Sequence, residues 1–410
     1  MNKSSKKRIL FIITTPFYQE KGSSLRIFEV VKMLAEEYEI DLVTYSLGRD
    51  VNIKNVTIYR TLKSFKPSIG VSEISLSRIV LDILVFITCI KLIFSNKYDI
   101  IHSEDFEAAF IGRVLCVFKR KTKFVYDLHN RVLDNLELKG NKYNSLFRWL
   151  INVLEKFVLS RTNLVILNWK KYEKDLIFKN RSVLTLYDKI HIDALEEHDK
   201  PDEPYLIYTG NFEPYQGIKV FLEVFREVEI KYKLLLVGAP TDEIRQFVAK
   251  DSSLNKRVMF TGRLSIGASN YLIKHAVAGI LPRLNEASSM KVVHYLMMGK
   301  PVIATDTPSN RELLKDNDNG LLYSNQKELT SILKNIESQP GLIEKFRDGV
   351  HKTANIIKKN WDATAFLEKY RQLCTYYILS ISMDMGGLRV SWTAYLMGLR
   401  TSGFVCIDIT

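Results

Sequence analysis

Short, nearly unbroken apolar runs alternate along most of the chain with longer stretches in which apolar residues recur every three or four positions. Over the first 190 residues the runs predict strands at 8–14, 40–45, 55–59, 98–102, 123–127 and 164–167. The helical spacing predicts helices at 25–37, 79–94, 106–118 and 146–159. Strands this uniformly apolar are buried on both faces, the condition of a parallel sheet covered by helices.

A weakly patterned polar stretch at 188–204, rich in Glu, Asp and Pro, reads as a linker. The alternation then restarts, with strands at 205–209, 233–237, 257–261, 279–282 and 301–305. Helices are predicted at 217–228, 242–249, 270–276 and 290–298, followed by helices to about 373. The expected fold class is α/β, with two Rossmann-like, doubly wound parallel-sheet domains facing a central cleft. The expected divisions are an N-terminal domain (1–190), a linker (191–203), a C-terminal domain (204–355), a helix crossing back to the first domain (356–374) and an atypical tail (375–410). That tail faintly echoes residues 22–44, which we read as a chance resemblance. Ligands of such sheets bind beyond the carboxyl ends of the strands and at domain interfaces, so the cleft is the place to look for chemistry.

With 410 residues and 46% hydrophobic content the chain has ample material for two cores. Its four widely separated cysteines encode neither a disulfide framework nor a thiolate zinc site, and a reducing, cytoplasmic setting is expected. The basic Met1–Arg8 segment runs into an apolar stretch too short for a secretion signal, and Asp82 and Lys91 interrupt the most apolar window. The net charge of +13 is unevenly spread: the first 200 residues carry 33 Lys and Arg against 24 Asp and Glu. Lys119, Arg120, Lys121 and Lys123 form one cluster. Lys142, Arg148, Lys156 and Arg161 flank an apolar, helix-like stretch containing Leu146, Trp149, Leu150 and Phe157. Such a pattern suits peripheral contact with an anionic membrane and equally suits a solvated helix over an ordinary core. No nucleic-acid recognition pattern accompanies the charge.

ATPase, serine hydrolase, zincin and nicotinamide motifs are missing from the sequence. Asp316-Asn317-Asp318 has the form of a metal-binding pair but stands before Asn319-Gly320, where a helix-ending turn accounts for it. Residues 280–305 are more informative. A strand ends at Pro282, Glu286 follows in the loop, Ser288 and Ser289 are placed to cap the next helix, and Gly299 ends it. Free N–H groups at that helix start would favour a phosphate, with Glu286 placed to accept bonds from sugar hydroxyls. A plain strand–loop–helix connection explains the same residues.

This segment resembles that of retaining GT-B glycosyltransferases of family four, in which an E-x7-E motif precedes an amphipathic helix and a strand like Gly299-Lys300-Pro301-Val302-Ile303-Ala304. Glu312 with Asn319-Gly320-Leu321-Leu322, Gly22-Ser23-Ser24-Leu25-Arg26, Asp127-Leu128-His129 and the run Tyr208 to Gly217 resemble further motifs of that family, together spanning about residues 8–373. The resemblance implies metal-independent transfer of a sugar, with retention of configuration and without a cofactor. The donor is a nucleotide-diphosphate sugar held by the C-terminal domain; the acceptor is a glycan or a lipid-linked glycan. It implies catalytic roles for His129 and Glu286, with Gly22, Ser23, Gly210, Asn211, Gln216, Arg283, Ser288, Ser289, Lys291 and His294 around the nucleotide sugar.

Three positions depart from the pattern. His294 replaces the second glutamate of E-x7-E, which accepts bonds from the ribose; Asn211 and Gln216 replace the Arg and Lys that hold the diphosphate. A neutral imidazole retains one acceptor nitrogen, and Lys291 or Arg283 is near enough in sequence to supply charge. A non-catalytic GT-B protein that binds a nucleotide sugar or a partner enzyme is the alternative these departures raise, and a nucleotide-sugar epimerase is a third reading.

Overall fold

The computed structural model describes residues 6–18, 22–62, 76–133, 144–174, 177, 182–190, 192–284, 289–339, 341–374, 376–385 and 388–397, the last two stretches as backbone only. The first sheet has seven parallel strands: β1 (Arg8–Ile13), β2 (Glu39–Thr44), β3 (Val56–Arg60), β4 (Ile100–Glu104), β5 (Lys123–Leu128), β6 (Leu164–Leu167) and β7 (Val183–Thr185). Their order is β3-β2-β1-β4-β5-β6-β7. Almost every residue of β1, β2, β4, β5 and β6 is buried, because helices cover both faces. On one face α2 (Leu76–Ser95), α3 (Asp105–Phe118) and α4 (Ser145–Leu159) pack Leu81, Val85, Leu115 and Val158 against Leu10, Phe124 and Val165. On the other, α1 (Gly22–Leu34) packs Ile27, Val30 and Val31 against Phe11 and Leu42.

The second sheet runs β10-β9-β8-β11-β12-β13, again parallel, from β8 (Tyr205–Thr209), β9 (Lys233–Val237), β10 (Val258–Gly262), β11 (Ala278–Leu281), β12 (Val302–Thr305) and β13 (Gly320–Tyr323). Its connections are α5 (Ile218–Glu227), α6 (Asp242–Ala249), α7 (Ser252–Arg257), α8 (Ile266–His275), α9 (Met290–Met297), α10 (Pro308–Leu313) and α11 (Gln326–Ser338). Side-chain caps set many of the helix starts, as where Thr241, Ser265 and Asn325 accept bonds from Ile244, Ala268 and Glu328 N–H. The doubly wound α/β architecture is as the apolar rhythm predicts. β7, β13 and α7 correct it: the short β13 had been merged into a run of helices. Strand β4 ends at Glu104, two residues beyond the expected stop.

After α12 (Arg347–Asn360) the chain returns to the first domain, where α13 (Ala363–Leu373) buries Phe366, Leu367 and Tyr370 beside Ile9, Val30 and Ile40. At the crossing, Asn360 accepts from Tyr187 N–H at 2.7 Å and donates to the Thr185 carbonyl at 2.9 Å, and Trp361 Nε1 donates to the Tyr187 carbonyl at 2.7 Å. The two segments joining the domains are thus bonded to each other. Beyond α13, β14 (Tyr376–Met385) and β15 (Leu388–Met397) pair antiparallel, unlike the parallel unit their sequence faintly echoes. In both sheets the winding reverses between neighbouring strands, β1/β4 and β8/β11, and the crevices beyond their carboxyl ends are where such sheets place ligands.

Candidate functional site

At the first switch point a buried ionic cluster forms around Arg26, whose side chain has no solvent exposure. It grips Asp127 at the end of β5 with two parallel bonds of 2.9 Å and reaches Glu104 at the end of β4 at 3.1 Å. Its Nε lies 3.5 Å from Asp188. His129 Nε2 sits 2.6 Å from Glu104 Oε1 and 2.7 Å from Arg26 Nη1, while Nδ1 is 3.7 Å from Asp105. Asp105 adopts a left-handed backbone (φ 63°), uncommon for a residue other than glycine, at the turn where β4 becomes α3.

One guanidinium faces three buried carboxylates, so the cluster carries surplus negative charge, which His129 relieves. Burial alone would lower the imidazole's pKa, but Asp105 and Glu104 outweigh it and push it up to about 10. Burial pushes Asp105 up to about 6, and His129 holds Glu104 well below the usual carboxylate range against its burial. The Arg26 guanidinium, 2.7 Å from His129 Nε2, opposes the imidazole's rise, and the balance favours the imidazolium. His102, Glu104 and Asp127 also bring ligand-type atoms within 4.8 Å of one another. Arg26 already bonds two of the three, so a cation's electrostatic place among them is taken by the guanidinium. Gly22 and Ser23, expected in a loop, open α1 instead; they are described there by backbone only.

In the second domain the loop after β8 meets the start of α9. Lys291 Nζ bonds Gln216 Oε1 at 2.9 Å and lies 5.0 Å from the Tyr208 ring centroid. Gly210 (φ 133°) leaves room for it: a Cβ there would come within 2.6 Å of Lys291 Cε. Gly217 (φ 70°) is more constrained still, since a Cβ would meet the Pro282 carbonyl at 1.9 Å. Arg283 stacks over Tyr215, whose hydroxyl accepts from Asn211 at 3.4 Å, and Ser289 caps α9 with its hydroxyl toward Lys291 N–H. Burial, with Arg283 nearby, pushes Lys291 down to about 7. Gly210, Asn211, Gln216, Arg283, Ser289 and Lys291 thus come together. Glu286 and Ser288 lie outside the described residues.

His294, one turn further along α9, bonds Asn270 Oδ1 through Nε2 at 2.6 Å. Asn270 Nδ2 donates to the Ala194 carbonyl at 2.8 Å, which fixes its oxygen toward the imidazole and makes Nε2 the donor. Burial pushes His294 down to about 4, so the ring is neutral and Nδ1 keeps its lone pair. The sequence did not expose Asn270 or the cluster partners Arg26, Glu104 and Asp188. The signal available was Glu104 and Asp188 at or just after apolar strands and Arg26 in the motif that follows β1.

The two halves meet in a crevice walled by Trp169, Tyr187 and Asp188 on one side and Ser289, Val292 and Glu312 on the other, with a volume of about 20 Å³. Asp188, which contacts Arg26, and Ser289, which caps the Lys291 helix, line this crevice. Both carboxylate oxygens of Glu312 accept from Lys170 N–H at 3.0 Å, bonding the domains across it.

Two doubly wound sheets with polar clusters at facing switch points define a GT-B fold. Residues 203–338 match the family model described as glycosyl transferases group 1. An uncharacterized glycosyltransferase of Methanocaldococcus jannaschii is 25% identical over 73% of this chain and 80% of its own length. The chitobiosyldiphosphodolichol beta-mannosyltransferase of Candida albicans is 27% identical over 60% of each chain. Among solved structures, sucrose-phosphate synthase from Thermosynechococcus elongatus superposes with a TM-score of 0.72 at 16% identity, covering 90% of this chain and 99% of the other. Anabaena HepE in complex with UDP-glucose gives 0.64 at 16% identity, with 90% and 99% coverage. At these identities the structural likeness speaks for the fold.

Proposed function

We propose that this protein is a glycosyltransferase that moves a sugar from a nucleotide-diphosphate donor to a glycan or lipid-linked acceptor, with retention of configuration and without a metal or other cofactor. The observation that carries the reading is that each sheet's switch point holds a polar cluster, His129 with Arg26 and Lys291 with Gln216, and that Asp188 and Ser289, which contact them, line one crevice between the domains. The group 1 match over the second domain and the names of the sequence relatives support it.

In this reading the diphosphate lies against the α9 N-terminus, Lys291 and Arg283, which supply from the neighbouring loop the charge that Asn211 and Gln216 lack. The neutral His294 offers Nδ1 to a ribose hydroxyl, and Glu286 binds the donor sugar. Charge develops on the diphosphate as the bond from the sugar's anomeric carbon to phosphate oxygen breaks, and the fixed cations and N–H groups stabilise it. The acceptor oxygen bonds to that carbon from the same face, and its proton passes to the departing phosphate oxygen. His129, held charged by Glu104 and Asp105, orients the transferred sugar from the opposite wall.

The test is thermal stabilisation of the folded protein by a panel of UDP-, GDP-, ADP- and CMP-sugars, followed by turnover with glycan acceptors and NMR of the product's anomeric centre. Stabilisation by one donor with retained configuration supports the reading. Stabilisation without turnover on any acceptor, or no stabilisation by any donor, supports the non-catalytic alternative, and an inverted product removes the retaining step.

A further inference from the structure

The helices α2, α3 and α4 present an outer face that the core does not use. Leu146 is 69% exposed, Trp149 61% and Phe94 61%, with Ile83, Phe118 and Val153 also outward. Two ring pairs link the helices: Phe94 packs edge-on against Phe118 at 5.9 Å and Phe110 against Phe157 at the same distance, tying α2 to α3 and α3 to α4. Contiguous apolar surface on this scale marks an interaction site.

The charge around it is mainly positive. Every acid on the three helices is engaged elsewhere. Asp82 accepts from Tyr45, Glu107 pairs with Arg78, Glu155 is buried against Arg131, and Asp105 faces His129. The cations border the apolar rings, with Arg113 4.3 Å over Phe157 and Lys119 5.3 Å from the Phe94 ring. The loops that close all three helices lie at one end of the sheet. They contribute Lys97, Lys119, Arg120, Lys121 and Arg161, and an open groove of about 470 Å³ beside Phe118 is lined by most of them. Asp99, which lines the same groove, accepts from Arg8 N–H. No described helix is long and apolar enough to cross a membrane.

We propose that this face docks on the surface of an anionic phospholipid bilayer, with Trp149, Leu146 and Phe94 entering the headgroup boundary and the Lys97–Lys123 collar holding lipid phosphates. A surface of aromatic and aliphatic side chains with a cationic border matches that interface, where apolar area and charge attraction add. A second copy is a poor occupant, because a twofold contact would set the same lysine collar against itself. The lysine collar lies at the opposite end of the strands from the donor site, while Leu146 and Trp149 stand at the start of α4.

The experiment is sedimentation of the full chain with vesicles of phosphatidylglycerol and phosphatidylcholine, against phosphatidylcholine alone. The variants are Trp149→Glu with Leu146→Ser, and Lys119→Glu with Lys121→Glu, each verified as folded by circular dichroism and an unchanged thermal midpoint. Binding to the anionic vesicles alone is expected. It should weaken at least about tenfold in either variant and between 50 mM and 500 mM salt, roughly a threefold change in Debye length. Equal binding to both vesicle types, salt-insensitive binding, or no binding by folded protein overturns the proposal. So does a concentration-dependent dimer that Trp149→Glu disperses without any vesicle binding.

Discussion

Replacing Arg26 by Met tests the buried cluster most directly. The change keeps much of the side-chain volume and removes the group that bonds Asp127 twice and Glu104 once while standing 3.5 Å from Asp188. His129 is then the remaining cation against three buried carboxylates. Breaking a buried pair by deleting one partner costs about 3–5 kcal/mol, because the other charge stays desolvated. For a domain of this size that lowers the unfolding midpoint by roughly 6–20 °C. Burial already raises Asp127 and Asp188 in the native protein against the pull of Arg26, so the loss of stability with rising pH should steepen. In the native protein Glu104 titrates well below its unfolded value, so its contribution is fully present above about pH 4.5 and is lost as pH falls. Without Arg26, the carboxylates have folded pKa values above their unfolded ones, so the variant loses stability as pH rises from about 4 through those raised values. Urea unfolding followed by circular dichroism at pH 4.5, 6 and 7.5 measures both effects. A loss below about 1 kcal/mol, or a variant whose stability varies with pH as the native protein's does, refutes this account of the cluster.

Lys291 has a pKa near 7 before a donor is present, and a diphosphate beside it raises that value. Donor affinity should therefore be full below pH 7 and weaken by up to tenfold per pH unit above it; calorimetric titrations from pH 6 to 8.5 should show this slope in the native protein and a flat, weaker profile in Lys291→Met. His294→Ala should weaken nucleotide binding about three- to tenfold, the worth of one hydrogen bond. Asn270→Ala should do the same by freeing the ring's tautomer. Equal donor affinity in both variants and the native protein would remove the ribose role.

The alternation of apolar runs made both sheets legible, because parallel strands buried on both faces need continuous apolar sequence. What it hid were short elements: β13 spans four residues, too few for periodicity to separate from flanking helices. The second domain's site was traceable in local motifs, since Gln216, Arg283 and Lys291 sit at strand–helix turns that sequence punctuation marks. The Arg26 cluster was not. Its partners lie 78 and 101 positions away, and each reads alone as an ordinary surface charge. Only the parallel register, which brings the ends of β1, β4 and β5 side by side, makes them one group. Reading β4 as ending at residue 102 concealed Glu104 further, because it placed that carboxylate in a loop instead of at the strand's end.

The paired crossing between the domains bears on how the crevice admits anything. At about 20 Å³ it is far below the several hundred Å³ that an organic ligand fills, so the proposed donor would need the domains to part if it binds there. A single tether would permit swivelling in any direction. Here two polypeptide segments, clamped together by Asn360 and Trp361, act as adjacent leaves of one hinge. Such a joint would resist torsion and favour rotation about a single axis, and the Lys170–Glu312 contact would have to break on opening. Each closure would then return Lys291 and His129 to the same alignment, so positional accuracy at the reacting centre is set by a spine on the far side of the molecule.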